Sequence, residues 1–208
     1  MEAAGAAART TAIFGGTFDP VHLGHLILAE QVAESERLEQ VLLVPAGRPP
    51  HKEGRTQSPA RHRLAMLERA IAGNPRLGAS AIELGPDLEG GPPARPSYTI
   101  DTVRRLKAEG ARDVALILGA DSLVELGTWR EPEALAAECR LLVVERPGVD
   151  LGAAPAPFRR RATLVRAPLI AISSSEVRRR VGAGLSIRYL VPESVREYIL
   201  EHGLYRDA

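Results

Sequence analysis

Cysteine is almost missing from this chain. Cys139 is the only one in 208 residues, so no internal disulfide can form and no zinc-type ligand spacing exists. Long apolar runs are missing too, and no window approaches the roughly 18 apolar residues of a membrane span. The start, Met1 to Ala8, is Ala-rich with no basic segment leading into an apolar one, so it does not read as a signal peptide. An excess of either charge is absent as well. Lys and Arg number 27 against 26 Asp and Glu, a net of +1, with no overall attraction to nucleic acid or a membrane surface. Aromatics are only 4%, and basic residues interleaved with stacking rings, as a nucleic-acid groove needs, are not found. These absences lead us to expect a cytoplasmic protein with no nucleic-acid and no membrane partner.

What is present is ordinary for a globular protein: 45% apolar and 25% charged residues. The length suits one domain with a substantial core. We read residues 1–208 as a single domain, with 1–10 a flexible N-terminal stretch and 172–208 a helical C-terminal part. Charge is uneven within it. From residue 151 to 188 there are eight arginines and one acid, Glu176, a pattern that suits either an anion-facing surface or a solvated one.

Short, continuously apolar runs alternate with helical patterns. Strands are expected at Thr11–Phe14, Val41–Val44, Ala79–Leu84, Val114–Leu118, Leu141–Val144 and Thr163–Val165. Helices are expected at Leu23–Ala33, Arg61–Ile71, Thr99–Lys107, Glu133–Glu138, Ser174–Val181 and Glu193–His202. The Gly/Pro-rich stretches 85–96 and 147–157 read as surface loops. Strands without polar alternation belong in a sheet covered on both faces. Alternation with helices then predicts an α/β fold, a single Rossmann-like doubly wound domain with a mainly parallel sheet. Ligands in such folds sit beyond the carboxyl ends of the strands.

The strongest signal lies at the first such end, Gly15-Gly-Thr-Phe-Asp-Pro-Val-His-Leu-Gly-His25. Gly15 and Gly16 allow a tight exit and a close approach to backbone amides. The amides of a helix N-terminus and its positive dipole end favour phosphate. His22 and His25 fall on one face of the first turn, with Gly24 between them keeping that face open. Two imidazole donors there would clamp polyphosphate charge; a tight turn whose histidines merely cap or pack is the structural alternative.

A second signal is Ile172-Ser-Ser-Ser-Glu-Val-Arg178. Ser173, Ser174 and Ser175 before an amphipathic helix are natural N-caps. With Arg178 one turn in, they also form a phosphate site. Arg179 and Arg180 lie around the helix from it and read as solvated.

The first string resembles the H-x-G-H signature of the nucleotidyltransferase superfamily. The second resembles the I-S-S-T-x-I-R motif of pyridine-mononucleotide adenylyltransferases, with Ser175 in place of Thr. Between and after them, Pro45-x-x-x-Pro-Pro-His51-Lys52, Pro96-Ser-Tyr-Thr-Ile-Asp101, Leu118-Gly-Ala-Asp-Ser122 followed by Trp129, and Leu190-Val-Pro occur in the order found in bacterial nicotinate mononucleotide adenylyltransferases. The resemblance covers nearly the whole chain. It implies ATP and nicotinate mononucleotide as substrates, with Mg²⁺ entering alongside ATP and no dedicated protein cage for it. It also leaves room for a homo-oligomer.

On this resemblance, His22, His25, Lys52 and Arg178 carry the chemistry. ATP would meet Gly15, Gly16, Thr17, Phe18, His22, Gly24, His25, Gly119, Asp121, Ile172, Ser173, Ser174, Ser175 and Arg178. The pyridine mononucleotide would meet Gly16, Thr17, His51, Lys52, Ser97, Tyr98, Thr99, Trp129 and Arg130. Each has a residue-level rationale and a plainer alternative. Asp121, at a strand's carboxyl edge, can take ribose hydroxyls or cap a helix. Trp129 can stack on a pyridine ring or fill the core. Ser97–Thr99 can receive a carboxylate or serve as a plain cap. Arg146, ending a strand, is a weaker candidate. Arg130, beside Trp129, could favour a carboxylated pyridine. Pantetheine-phosphate adenylyltransferases share the first signature, and a nucleotide-binding module without turnover would share both clamps; these are the rival readings.

Overall fold

Thr10–Gly16 (β1), Gln40–Pro45 (β2), Leu77–Ala79 (β3), Asp113–Gly119 (β4), Arg140–Val144 (β5) and Ala162–Val165 (β6) form one sheet. In this computed structural model the residues described are 10–47, 58–85, 88, 96–145 and 148–206. The strand order is β3-β2-β1-β4-β5-β6, and every neighbouring pair is parallel. Chain order runs outward from β1 on one side and outward from β4 on the other. The gap between the β1 and β4 carboxyl ends is therefore the topological switch point, where ligands of such sheets sit.

The helices are Leu23–Ser35 (α1), Ala60–Ile71 (α2), Thr99–Ala108 (α3), Ala120–Glu125 (α4), Pro132–Glu138 (α5), Ala156–Arg159 (α6), Ser174–Gly182 (α7) and Glu193–Glu201 (α8). Successive strand residues supply opposite faces. From β4, Ala115 and Ile117 join Ala29 and Val32 of α1, Met66 and Leu67 of α2, Val177 of α7 and Val195 of α8. Val114, Leu116 and Leu118 join Ile100 and Val103 of α3, Leu123 of α4, Leu135 of α5 and Phe158 of α6. Each large apolar side chain buried this way stabilises the fold by about 1.5–3 kcal/mol. The central strands are buried on both faces, so they lack polar alternation, as the sequence pattern predicts.

Two expectations are corrected. The strand expected at Ala79–Leu84 instead ends at Ala79, where pairing with β2 stops at Leu43. The Ser80 hydroxyl then accepts the Ile82 N–H at 3.4 Å, and the Leu84 N–H reaches the Ala81 carbonyl at 2.9 Å. This local turn out-competes the ladder, because a serine side chain offers the backbone an alternative partner. Leu84 is still buried, but from a turn. The stretch 147–157 is no plain surface loop either. Leu151–Ala153 forms a 3-10 turn, α6 follows, and Ala154 and Phe158 are 3% and 4% exposed. Phe158 carries enough apolar area to draw the segment onto the sheet.

Candidate active site

At the carboxyl ends of β1 and β4 lies a cleft of about 910 Å³. One wall begins with the turn after β1. Phe18 takes a left-handed backbone (φ 49°), and its ring folds back under Gly16, where a Cβ would stand only 2.9 Å from the ring edge. A Cβ at Gly15 would meet nothing within 4 Å, so the space beside it is open. The Asp19–Pro20 peptide is cis.

His22 is the N-cap residue of α1, and its N–H donates to Nδ1 of His25 at 3.2 Å. That hydrogen bond makes Nδ1 of His25 an acceptor, so in the neutral ring the proton sits on Nε2. The two imidazoles stack at 3.6 Å between centroids, and the Phe18 ring lies 4.9 Å from that of His25, edge-on. His22 is 6% exposed, and burial pulls its pKa down to about 4. Its Nδ1 has no hydrogen-bond partner among the described residues. His22 is therefore a neutral ring that backs His25.

The second wall is the start of α7. Ser173 caps it, accepting the Glu176 N–H at 3.2 Å. The Ser174 hydroxyl donates to the Pro20 carbonyl at 2.8 Å, and Arg178 donates to the Asp19 carbonyl at 2.6 Å and to the Ser175 hydroxyl at 3.3 Å. The two sequence signals are thus clasped together. Asp19 itself is 3% exposed; its carboxylate accepts the Ser58 N–H at 3.0 Å and the Tyr205 hydroxyl at 2.6 Å. Burial, and the Asp19 carboxylate beside it, hold the Tyr205 hydroxyl in its protonated form far above its ordinary range.

The opposite end of the cleft is formed by the start of α3 and the segment after α4. Tyr98 is the N-cap residue of α3, with no side-chain cap bond, and Trp129 follows the 3-10 turn Leu126–Thr128. Trp129 is half-buried against the second core cluster while also bordering the cleft. The Arg130 guanidinium lies 4.6 Å over the Tyr98 ring and 3.7 Å from both the Asp101 and Glu131 carboxylates.

Residues 13–180 match the Cytidylyltransferase-like family. In Thermomicrobium roseum a relative named "Probable nicotinate-nucleotide adenylyltransferase" is 45% identical over 200 residues, covering 93% of this chain and 90% of the relative. One of the same name from Thermus thermophilus is 43% identical over 195 residues, covering 93% and 98%. The chain belongs to the nicotinate-nucleotide adenylyltransferase family. Among solved structures, "Plasmodium falciparum nicotinic acid mononucleotide adenylyltransferase complexed with NaAD" aligns with TM-score 0.75 at 19% identity, covering 96% of this chain and 98% of that one. That likeness is one of fold, and it agrees with the Rossmann-like sheet described above.

In this member of the adenylyltransferase family, the cleft brings together Gly15, Gly16, Thr17, Phe18, His25, Ser97, Tyr98, Thr99, Gly119, Asp121, Trp129, Arg130, Ser174, Ser175 and Arg178. His22, Gly24, Ile172 and Ser173 do not border it, although all four were expected to. Gly24 does not keep a face open. A Cβ there would stand 3.1 Å from Nδ1 of His22, so the missing side chain makes room for the packed ring. His51, Lys52 and Arg146 lie outside the described residues. Arg179 pairs with Glu176 at 2.8 Å and is exposed, as expected, whereas Arg180 also donates to the Ser186 carbonyl at 2.7 Å.

Sequence reasoning missed Asp19, Glu83, Ser122 and Thr128 on the cleft wall. Asp19 was legible, standing inside the quoted turn. Glu83, which accepts the hydroxyl of buried Thr102 at 2.7 Å, was hidden by the mistaken strand. Among the described residues no helix is long and apolar enough to cross a membrane. No group of three or more His, Cys, Asp or Glu side chains there could hold a metal ion.

Proposed function

We propose that this chain transfers the adenylyl group of ATP to nicotinate mononucleotide, giving deamido-NAD and pyrophosphate, in NAD biosynthesis. The observation that carries the reading is the meeting, in one cleft at the switch point, of His25, the start of α7 and the aromatic pair Tyr98 and Trp129. The mononucleotide phosphate attacks the α-phosphorus of ATP in line. A bond forms from its oxygen to that phosphorus, and the bond from phosphorus to the αβ-bridging oxygen breaks, releasing pyrophosphate. A phosphomonoester with a second pKa near about 6 is already largely dianionic at neutral pH, so no general base is required. Cys139 is no nucleophile: burial pushes its thiol up to about 12.

The protein's part is alignment and charge stabilisation. In this reading the Nε2–H of His25 and the guanidinium of Arg178 meet the triphosphate, with backbone amides of the turn beside them. His51 and Lys52, which follow β2 in the chain, hold phosphate. The nucleotide enters as its magnesium complex, with the ion on phosphate oxygens and water. Asp121 takes ribose hydroxyls, Trp129 stacks on the pyridine, and the start of α3 receives the nicotinate carboxylate. Both substrates are water-soluble, and we place the reaction in the cytoplasm.

The test is ATP and Mg²⁺ with nicotinate mononucleotide, nicotinamide mononucleotide and phosphopantetheine in turn, following product and pyrophosphate. Dinucleotide formation fastest with the nicotinate substrate is expected. Turnover with phosphopantetheine alone, or binding of ATP with no pyrophosphate release from any pair, would sink the proposal.

A further inference from the structure

Arg63 stands on the core-facing side of α2, in line with Ala60, Met66 and Leu67, and is 1% exposed. A guanidinium persists in such a place only when it is well hydrogen-bonded. Its Nη1 donates to the Thr17 carbonyl at 3.0 Å and the Ala46 carbonyl at 2.8 Å, and its Nε to the Ser58 carbonyl at 3.1 Å. Thr17 and Ala46 border the cleft, one after β1 and the other after β2; Arg63 lies behind them and does not.

In a trans peptide the carbonyl and the next N–H point in opposite directions, and neither of these two peptides is cis. Drawing the Thr17 and Ala46 carbonyls inward therefore turns the Phe18 and Gly47 amides away from Arg63, and Phe18 itself borders the cleft. Other carbonyls of the same turn are also taken by donors: Gly16 by the Ala46 N–H at 2.8 Å, Asp19 by Arg178 and Pro20 by Ser174. A backbone anion site needs this arrangement, because it must present N–H groups and hide carbonyl lone pairs from the ligand.

We propose that Arg63 is a positioning residue of the polyphosphate site. It makes the turn after β1 and the exit of β2 into one anion-binding surface by holding their carbonyls inward, without touching substrate itself. The inference rests on the adenylyl-transfer reading for the identity of the anion.

The first experiment uses the unmodified full chain with inorganic pyrophosphate as the probe, followed by amide resonances. Phe18 and Gly47 amides should shift on titration. If pyrophosphate does not bind at all, the polyphosphate reading of the site falls; if it binds and neither amide moves, the Arg63 inference alone falls. The second compares R63K and R63A. A lysine keeps the charge, but its single nitrogen cannot hold the Thr17, Ala46 and Ser58 carbonyls in one plane. R63K should lose at least about ten-fold in pyrophosphate affinity and in kcat (a 1 Å misplacement can cost more). R63A should regain activity with added guanidinium ion at non-denaturing concentration and not with methylammonium. A folded R63K within two-fold of the wild type in both measurements overturns the proposal. So does an R63A whose folded protein binds pyrophosphate normally.

Discussion

In the half of the cleft made by the turn after β1 and the start of α7, the holding contacts are part-buried and span the chain. Ser174 and Arg178 reach carbonyls 154 and 159 positions away, and Tyr205 reaches Asp19 across 186. In the half made by Tyr98, Trp129 and Arg130 the charged contacts are exposed and reach less far along the chain. The Arg130 side chain is 50% exposed and its carboxylate partners are 55% and 42% exposed, where ion pairs contribute little. The difference suits the chemistry we propose for each half. Charge developing on a phosphate is stabilised by dipoles that need not reorganise. Recognition of one ring and one carboxylate tolerates, and can be adjusted by, surface residues.

The sharpest way to break this contrast is His25→Ala. The ring is packed by His22 and Phe18, and its removal should lower kcat by at least about a hundred-fold, as loss of one preorganised donor does elsewhere. The melting temperature should barely move, because His25 borders the cleft instead of filling the core. Steady-state kinetics and a melt on the same preparation check it; activity within three-fold of wild type would remove His25 from the chemistry.

His22 tests the same half through stability. Its folded pKa, about 4, lies below the ordinary value of 6.5. Between those values the unfolded chain binds the extra proton and the folded one does not, so stability falls as the pH falls from 6.5 towards 4. The loss approaches about 3 kcal/mol at the low end. Denaturant unfolding at pH 7 and pH 4.5 should show this fall, and His22→Asn should flatten that part of the profile. An unchanged slope in the variant would mean that another group governs acid unfolding.

How much of this could be read from the sequence differs between the two halves for a physical reason. The Gly15–His25 string and the Ser173–Arg178 helix start are contiguous, so spacing brought their residues into view together, while His22, Gly24 and Ser173 turn out not to border the cleft. The partners that hold them are not contiguous. Arg63 was legible only as an arginine on the apolar stripe of α2. Tyr205 could not be paired with Asp19 without the fold. Gly24 was read as keeping a face open, and only packing reveals that a Cβ there would press on the His22 ring. The sheet was legible wherever strands are buried on both faces. It was misread at β3, where Ser80 turns the chain, although the other edge, β6, was found; separately, the stretch around α6 was read as a loop, where one phenylalanine decides.

On the acceptor side, Trp129→Ala should raise KM for nicotinate mononucleotide about ten-fold or more, since stacking a base on an aromatic ring is worth roughly 1–3 kcal/mol. KM for ATP should stay within about two-fold if the two halves are as separate as their contacts suggest. Equal increases in both would show that Trp129 supports the whole cleft through its core-facing side.

The smallest effect belongs to Arg130→Ala. The guanidinium is held over Tyr98 by a cation–π contact and by Asp101 and Glu131. Those partners already satisfy part of its charge, and water screens the remainder, so an attraction to a nicotinate carboxylate is worth under about 1 kcal/mol. The ratio of kcat/KM for the nicotinate and nicotinamide mononucleotides should therefore fall by only about two- to five-fold. The fall should shrink further as salt is raised, because exposed charges are screened over roughly 8–10 Å near physiological ionic strength. A change of a hundred-fold would contradict the division between the halves. It would mean that Arg130 becomes desolvated when the mononucleotide binds, and that the acceptor side closes over it.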